Sequence, residues 1–444
     1  MTITGKTLIE WGYQPAPWFR AAIQQANDLS AEEQRLVVEE IKQDYEDEIA
    51  CANALPEGVV EEANDTSPPF AVVGDHEENT LDQMKRCMQY GSVVGGAICA
   101  DGHLGYAQPV GGVIAYREHV SVSGVGFDIA CGNMAVRTDA RAADFTNNDW
   151  NKLADDIATT LSFGVGRRND ERVEHELFDD TEAWHAAGTL DLREMAEAQL
   201  GTIGSGNHYV DVLVDENGYV WIGVHFGSRG LGHKTATRYL KMAGGADGID
   251  VAPTVLHVES EIGQCYLAAM ELAGRYAYAG RAWVVQRVLS MFGSRPTLAV
   301  HNHHNFAWRE RHGEHDLWVV RKGATPAFPG QRGFIGGSMG DDAVIVEGVA
   351  GEASAKLFHS TVHGAGRLFG RREAIRRFEQ ADMDAWVRTR GVHLRGAGLD
   401  ESPMAYRRLD DVLAHHANTI RVIARLRPVV VVMAGAGEKD PYKD

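Results

Sequence analysis

Asp128 and Cys131 stand three residues apart in the stretch G-V-G-F-D-I-A-C-G-N, from Gly124 to Asn133. An extended strand sends side chains at that spacing to opposite faces, so the two converge only if the backbone turns beside them. Gly124, Gly126 and Gly132 permit such a turn. A carboxylate and a thiolate aimed at one point repel each other unless a divalent cation joins them. The competing interpretation is a buried structural cysteine beside a turn-capping aspartate. Histidines elsewhere in the chain favour the cation.

Those histidines fall at the ends of strand-like runs. V-V-G-G-A-I-C-A-D-G-H and V-G-G-V-I-A-Y read as buried strands that feed the Asp128 turn, with Asp101 and His103 in a loop as candidates for supporting hydrogen bonds. G-S-G-N-H opens into the alternating run Tyr209, Val210, Asp211, Val212. The strand after the Asn217-Gly218 hairpin signal closes at His225. A further strand, Thr297 to Val300, delivers H-N-H-H-N-F. Five candidate ligands result: Asp128, Cys131, His208, His225, and one of His301, His303 and His304. Five exceed the need of one tetrahedral ion, so two ions sharing Cys131 are expected, and the mixed donor set leaves zinc, iron and manganese open.

A second constellation is built for anions. The loops G-S-G-N-H, G-G-S-M-G and H-G-A-G-R expose backbone N–H groups, and Arg229, Arg321 and Arg367 add guanidinium forks for phosphate. Together with metals they suit a nucleoside triphosphate and a second phosphate. His363 is surplus to the ligand set, and a neutral imidazole can attack a phosphoryl group to give a phosphoramidate. Its alternative is a hydrogen-bonding role within the loop. The formal charge of -19 excludes a protein that grips long nucleic acid non-specifically, so any such contact is focused. Five unpatterned cysteines point to a reducing compartment, and with no apolar run of spanning length a cytoplasmic protein without membrane contact is expected.

Helical periodicity dominates two segments. A capping box at Ser30 and Glu33 begins a helix with Leu36, Val37 and Ile41 on its apolar side. From Leu231 to Phe292 the pattern is again helical, with Ile262, Tyr266, Met270, Ala273 and Ala277 on one face.

From about Gly91 to Val432 the chain resembles the RtcB-type RNA-splicing ligases. G-V-G-F-D-I-A-C-G, G-N-H, H-F-G-S-R-G, H-H-N, G-S-M-G, H-G-A-G-R and D-E-S-P-M-A-Y occur in that family's order. The resemblance implies an α+β fold, with mixed, largely antiparallel sheets around a central metal and nucleotide site. It implies one catalytic domain over residues 1–444 with a helical insertion at 231–296. It also implies a GTP- and manganese-dependent ligase that joins RNA 2',3'-cyclic phosphate or 3'-phosphate ends to 5'-hydroxyl ends. Two Mn2+ ions would be held by Asp128, Cys131, His208, His225 and His304. His363 would become guanylylated, with Asn207, Asp211, Ser338, Gly364, Ala365, Gly366, Arg367 and Tyr406 around the nucleotide and Arg229 on the RNA phosphate. The implied partners are tRNA halves or broken RNA, and an activating protein. The alternative is a metal-dependent RNA-end phosphodiesterase that uses no nucleotide and does not require His363. Two departures from the family pattern stand out: Ala130 replaces an asparagine, and Met433 falls where a lysine is expected to face the guanine edge. Either Lys439 or Lys443 in the added tail replaces that charge, or guanine selectivity is weakened. Weakened selectivity is expected, because Gly435 and Gly437 make ordering the tail costly.

Overall fold

The computed structural model describes residues 2–438 apart from Asp28, Ala54 and Ser67. The chain divides into two compact units, Met1–Pro56 and Glu57–Asp444. The first has an apolar cluster of its own, Ile3, Leu8, Trp18, Ala22, Ala26 and Val38, shared by the helices Gly5–Glu10, Phe19–Ala26 and Ala31–Asn53. The Ser30 amide donates to Glu33 at 3.0 Å as the capping box requires. The buried stripe of that third helix differs from the expected one. Gln34 and Val38 are buried and Leu36 is exposed, since two positions along a 3.6-residue turn point to opposite sides.

The second unit is α+β and largely antiparallel, as expected. One sheet has the order Phe70–Val72, Val93–His103, Val110–Tyr116, His315–Lys322, Asn305–His312, with its first pair parallel and the rest antiparallel. The larger sheet runs Arg332–Ile335, Ala343–Gly348, Ile420–Gly435, Tyr209–Asp215, Tyr219–Phe226, Gly132–Arg141, Pro296–His303, all antiparallel. His393–Ala397 adds a parallel strand beside Ile420–Gly435. The helix Glu261–Met291, capped by Ser260 through the Gly263 amide, packs on this sheet. Ile262, Tyr266, Met270, Ala273 and Ala277 are all buried, and each large apolar side chain so removed from water contributes about 1.5–3 kcal/mol. Among the described residues no helix is long and apolar enough to cross a membrane.

One buried base ties the fold to pH. His416 is fully buried, and its Nε2 accepts the Ala100 N–H at 3.2 Å, one residue before Asp101. Burial lowers its pKa from 6.5 to about 4. The unfolded chain therefore takes up the proton first. The stabilisation is complete above pH 6.5 and is lost as pH falls from there to about 4. One such group accounts for about 3 kcal/mol across that window. His416→Gln keeps an acceptor that does not titrate. Its unfolding free energy in urea should decline less steeply on acidification than that of the parent chain, and an identical slope would refute the assignment.

Candidate active site

Antiparallel pairing gathers the ligand-grade side chains at one edge of the larger sheet. Strands at Gly132 and Tyr209 begin there, and their neighbours at His225 and His303 end there, because adjacent antiparallel strands run in opposite directions. The register pairs Gly132 with both Phe226 and His303, and Tyr209 with His225. Cys131, His208, His225 and His304 thus arrive together. Asp128 joins them through a turn in which the Cys131 N–H donates to the Asp128 carbonyl at 3.0 Å. The left-handed residue of that turn is Ala130, at φ 60°. Alanine there costs about 1–2 kcal/mol, a strain that asparagine tolerates better. Gly132 is required for another reason, since a Cβ would lie 2.2 Å from the Asn302 carbonyl oxygen.

The donor atoms form a row. Cys131 Sγ lies 3.2 Å from His225 Nε2 and 3.7 Å from His208 Nε2. His208 Nε2 is 3.0 Å from Asp128 Oδ2. The His225 and His304 rings are 5.1 Å apart, and the His304 and His363 rings 4.8 Å apart. Donor atoms of Cys131, His208 and His225 all lie within 4.8 Å of one another, a cluster that could hold a metal ion. Burial and the Asp128 charge push the Cys131 thiol well above its usual range. Burial would also raise Asp128, but His208 and Arg229 outweigh it and hold the carboxyl low. Burial and neighbouring imidazoles keep His225 and His304 neutral. Neutral imidazoles, a carboxylate and a thiol that needs a cation to ionise suit a divalent ion.

Of the three histidines left open by sequence, only His304 faces this row. His301 Nε2 accepts from Arg281 Nε at 2.8 Å, and His303 Nδ1 lies 2.9 Å from an Arg281 terminal nitrogen. Arg281, fully buried, also donates to the carbonyls of Ala130 and Phe226. It therefore braces the residues next to Cys131 and His225. Sequence reasoning missed it. The available signal was an arginine at the next helical position of the buried stripe Tyr266, Met270, Ala273, Ala277.

Beside the row opens a cavity of about 690 Å3, lined by Asp128, Cys131, His225, His304 and His363 and by Asn207, Asp211, Ser338, Gly364, Ala365, Gly366, Arg367 and Tyr406. Two of the anticipated anion loops touch, through a bridge between Gly336 and Gly364. Ser338 donates to Asp341, and Arg367 reaches Glu401 and the Tyr406 hydroxyl at 3.2 and 2.8 Å. Asp101, expected in a loop, lies in the strand Val93–His103. Fully buried, it accepts from the His363 amide at 3.0 Å and from His363 Nδ1 at 2.7 Å. Burial raises its carboxyl, yet His363 outweighs this and holds it ionised. An ionised carboxylate only accepts, so Nδ1 is the ring nitrogen that donates to it, and Nε2 is the one left for other chemistry.

Two arginines sit apart from the cavity lining. Arg229, at φ 54°, stands behind His208 with 3.3 Å between a guanidinium nitrogen and Nδ1, and its buried Nε has no hydrogen-bond partner among the described residues. Arg321 is not a phosphate fork. Fully buried, it makes a two-point contact with Glu310 at 2.7 and 2.9 Å and donates to Ser360 and the Phe358 carbonyl. All three guanidinium nitrogens are engaged in structure, which sequence could not reveal because Glu310 lies on the neighbouring strand. Met433 lines the cavity, paired in register with Tyr209, while Lys439 and Lys443 lie outside the described residues.

Comparison with known proteins bears on the same region. Residues 83–434 match the family model described as tRNA-splicing ligase RtcB. The chain is 30% identical over 440 residues to the tRNA-splicing ligase RtcB of Thermococcus kodakarensis, covering 80% of this chain and 91% of that protein. It is 32% identical over 367 residues to the RNA-splicing ligase RtcB of Escherichia coli strain K12, covering 76% and 89%. Over 425 residues it is 31% identical to the tRNA-splicing ligase RtcB of Archaeoglobus fulgidus, covering 77% and 88%.

Proposed function

This chain belongs to the RtcB family, and from that premise we propose that it is a GTP- and manganese-dependent RNA ligase joining 2',3'-cyclic phosphate or 3'-phosphate ends to 5'-hydroxyl ends. The observation that carries the reading is the His363–Asp101 pair, 4.8 Å between rings from His304 at the end of the ligand row. Asp128, Cys131 and His208 would hold one ion, and Cys131, His225 and His304 a second. When bound, the ions supply charge neutralisation for phosphoryl transfer.

The chain's own residues do the rest. Asp101 fixes the His363 tautomer, leaving Nε2 to attack the α-phosphate of GTP. A P–N bond forms, pyrophosphate leaves, and the Nδ1 proton stays on Asp101's hydrogen bond. Amides of Ala365 and Gly366 cradle phosphate oxygens, beside Gly364 and Arg367, whose guanidinium is shared with Glu401, Tyr406 and the carbonyls of Phe369 and Asp400. Hydrolysis opens the cyclic phosphate, the RNA 3'-phosphate oxygen takes the guanylyl group from His363, and the incoming 5'-hydroxyl displaces GMP. Arg229, which stands behind the ligand His208, is assigned to the RNA phosphate. A phosphodiesterase would need the ligands but not an imidazole so held. We assign residues 231–296 to a helical insertion within the catalytic domain, and the protein to a cytoplasmic location. Incubation with labelled GTP and manganese tests the reading: a covalent protein–nucleotide adduct is expected, and its absence with intact, metal-loaded protein overturns it.

The nucleotide base meets a wall made of Asp211, Tyr209, Val431 and Met433. Burial pushes Asp211 well above the carboxylate range, and its Oδ1 has no partner. As an acid it pairs with the N1 and N6 edge of adenine; as a carboxylate it pairs with N1–H and N2–H of guanine. Methionine offers no donor to guanine O6, and an unpaired buried acceptor costs about 1–3 kcal/mol. GTP is therefore expected to outcompete ATP by only a small factor in adduct formation. A strong GTP preference that disappears in a chain ending after Gly437 would identify the tail as the missing donor instead.

A further inference from the structure

The net charge of -19 is unevenly spread, since residues 364–430 carry thirteen arginines, no lysine and eight acidic residues. Most of these guanidinium groups are already committed. Arg367 and Arg371 bind Glu401, and Arg395, Arg408, Arg421 and Arg425 are each ion-paired with a carboxylate. Arg372, Arg376, Arg388 and Arg427 are exposed and make no side-chain hydrogen bond or ion pair with another described residue, and of these Arg372 and Arg376 adjoin the active-site cavity. These two stand one turn apart on the helix Arg371–Arg377, which puts them on one face.

That helix forms part of the rim of the active-site cavity. Leu368, Phe369, Gly370, Arg371 and Glu373 line the cavity. Yet Leu368 is 50% exposed and the neighbouring Ile375 47%, so the segment passes from the cavity wall to open solvent. Arg377 lies 4.1 Å above the Phe369 ring. Uncommitted guanidinium groups beside exposed apolar and aromatic surface suit a single nucleic-acid strand, whose phosphates take the charges and whose bases lie on the apolar side. The strongly acidic remainder of the chain confines a polyanion to this lip.

We propose, on the RNA-ligase reading given above, that the rim from Leu368 to Arg376 holds the single-stranded RNA leading to the reactive phosphate. Arg372 and Arg376 contact its backbone phosphates, and Leu368 and Ile375 support its bases. The contact is independent of base sequence, so it extends the range of RNA ends the site accepts.

Fluorescence anisotropy with a labelled ten-nucleotide RNA ending in a 3'-phosphate tests this, using the full chain. Arg372→Glu/Arg376→Glu should weaken binding at least tenfold and reduce the salt dependence by about 1.4 in the log–log slope, as expected for two single-strand phosphate contacts. Arg372→Gln/Arg376→Gln should give an intermediate loss. Arg388→Glu/Arg427→Glu makes the same charge change away from the cavity lining and should weaken binding less than twofold. An unlabelled acidic peptide of equal charge should displace the RNA poorly. Equal losses in both reversals, no loss at the rim, or displacement by the peptide as efficiently as by RNA would each overturn the proposal. Adduct formation with GTP is read separately: it should be unchanged in the rim variants, and its absence from the parent chain would defeat the ligase reading while leaving the binding result to judge the rim.

Discussion

His363→Ala should bind metal like the parent chain and form no adduct with labelled GTP. The expectation rests on position: the imidazole is held from behind by Asp101 and stands beyond His304, outside the cluster formed by Cys131, His208 and His225. Removing it should leave those donors intact while deleting the atom that forms the P–N bond. In the parent chain the adduct should be acid-labile and alkali-stable, as a phosphoramidate is. An adduct of the opposite lability, or one that persists in His363→Ala, would identify another nucleophile. Asp101→Asn separates holding from attacking. An amide can donate to Nδ1 and so stabilise the wrong tautomer, and a loss of roughly 10^2–10^4-fold in adduct rate is expected with metal content unchanged. A rate within a few-fold of the parent would show that Asp101 only supports the loop.

Cys131→Ala should lose both metal ions. The thiol sulfur lies between His208 and His225, at 3.7 and 3.2 Å, and no other described donor occupies that central place in the row. In the absence of metal the change removes one polarisable atom from a site where burial and Asp128 already disfavour the thiolate, so the apo fold should survive. Added manganese should raise the melting temperature of the parent, since a ligand at about 100 times its Kd stabilises the native state by about 2.7 kcal/mol. The variant should show no such rise, and elemental analysis should find it empty. Undiminished metal in Cys131→Ala would remove the bridging role, and loss of a single ion would confine Cys131 to one of the two.

Residue type and spacing carried the chemistry of this site. Asp128, Cys131, His208, His225 and His363 stood out because each lies in a glycine-broken turn or flanks a strand-like run. The α+β class and the buried face of Glu261–Met291 were visible for the same local reason, since periodicity reports which side of an element leaves water. Leu36 shows the weakness of that signal in the helix Ala31–Asn53, where one misplaced apolar residue shifts the inferred stripe.

Partnership was not legible, because it depends on residues far apart in the chain. Arg281 and Arg321 are both wholly buried, yet one braces the backbone behind Cys131 and the other is bound to Glu310. Nothing local distinguishes them. His301, His303 and His304 looked equivalent until strand register turned the first two toward Arg281. Asp101 reaches His363 across 262 residues, and Cys131 reaches His208 across 77. The sequence by itself determined which groups could ionise, coordinate or attack, because those capacities belong to the side chain. Only the tertiary structure decided which of them meet, because antiparallel register and burial set distance and dielectric, and those belong to the chain as a whole.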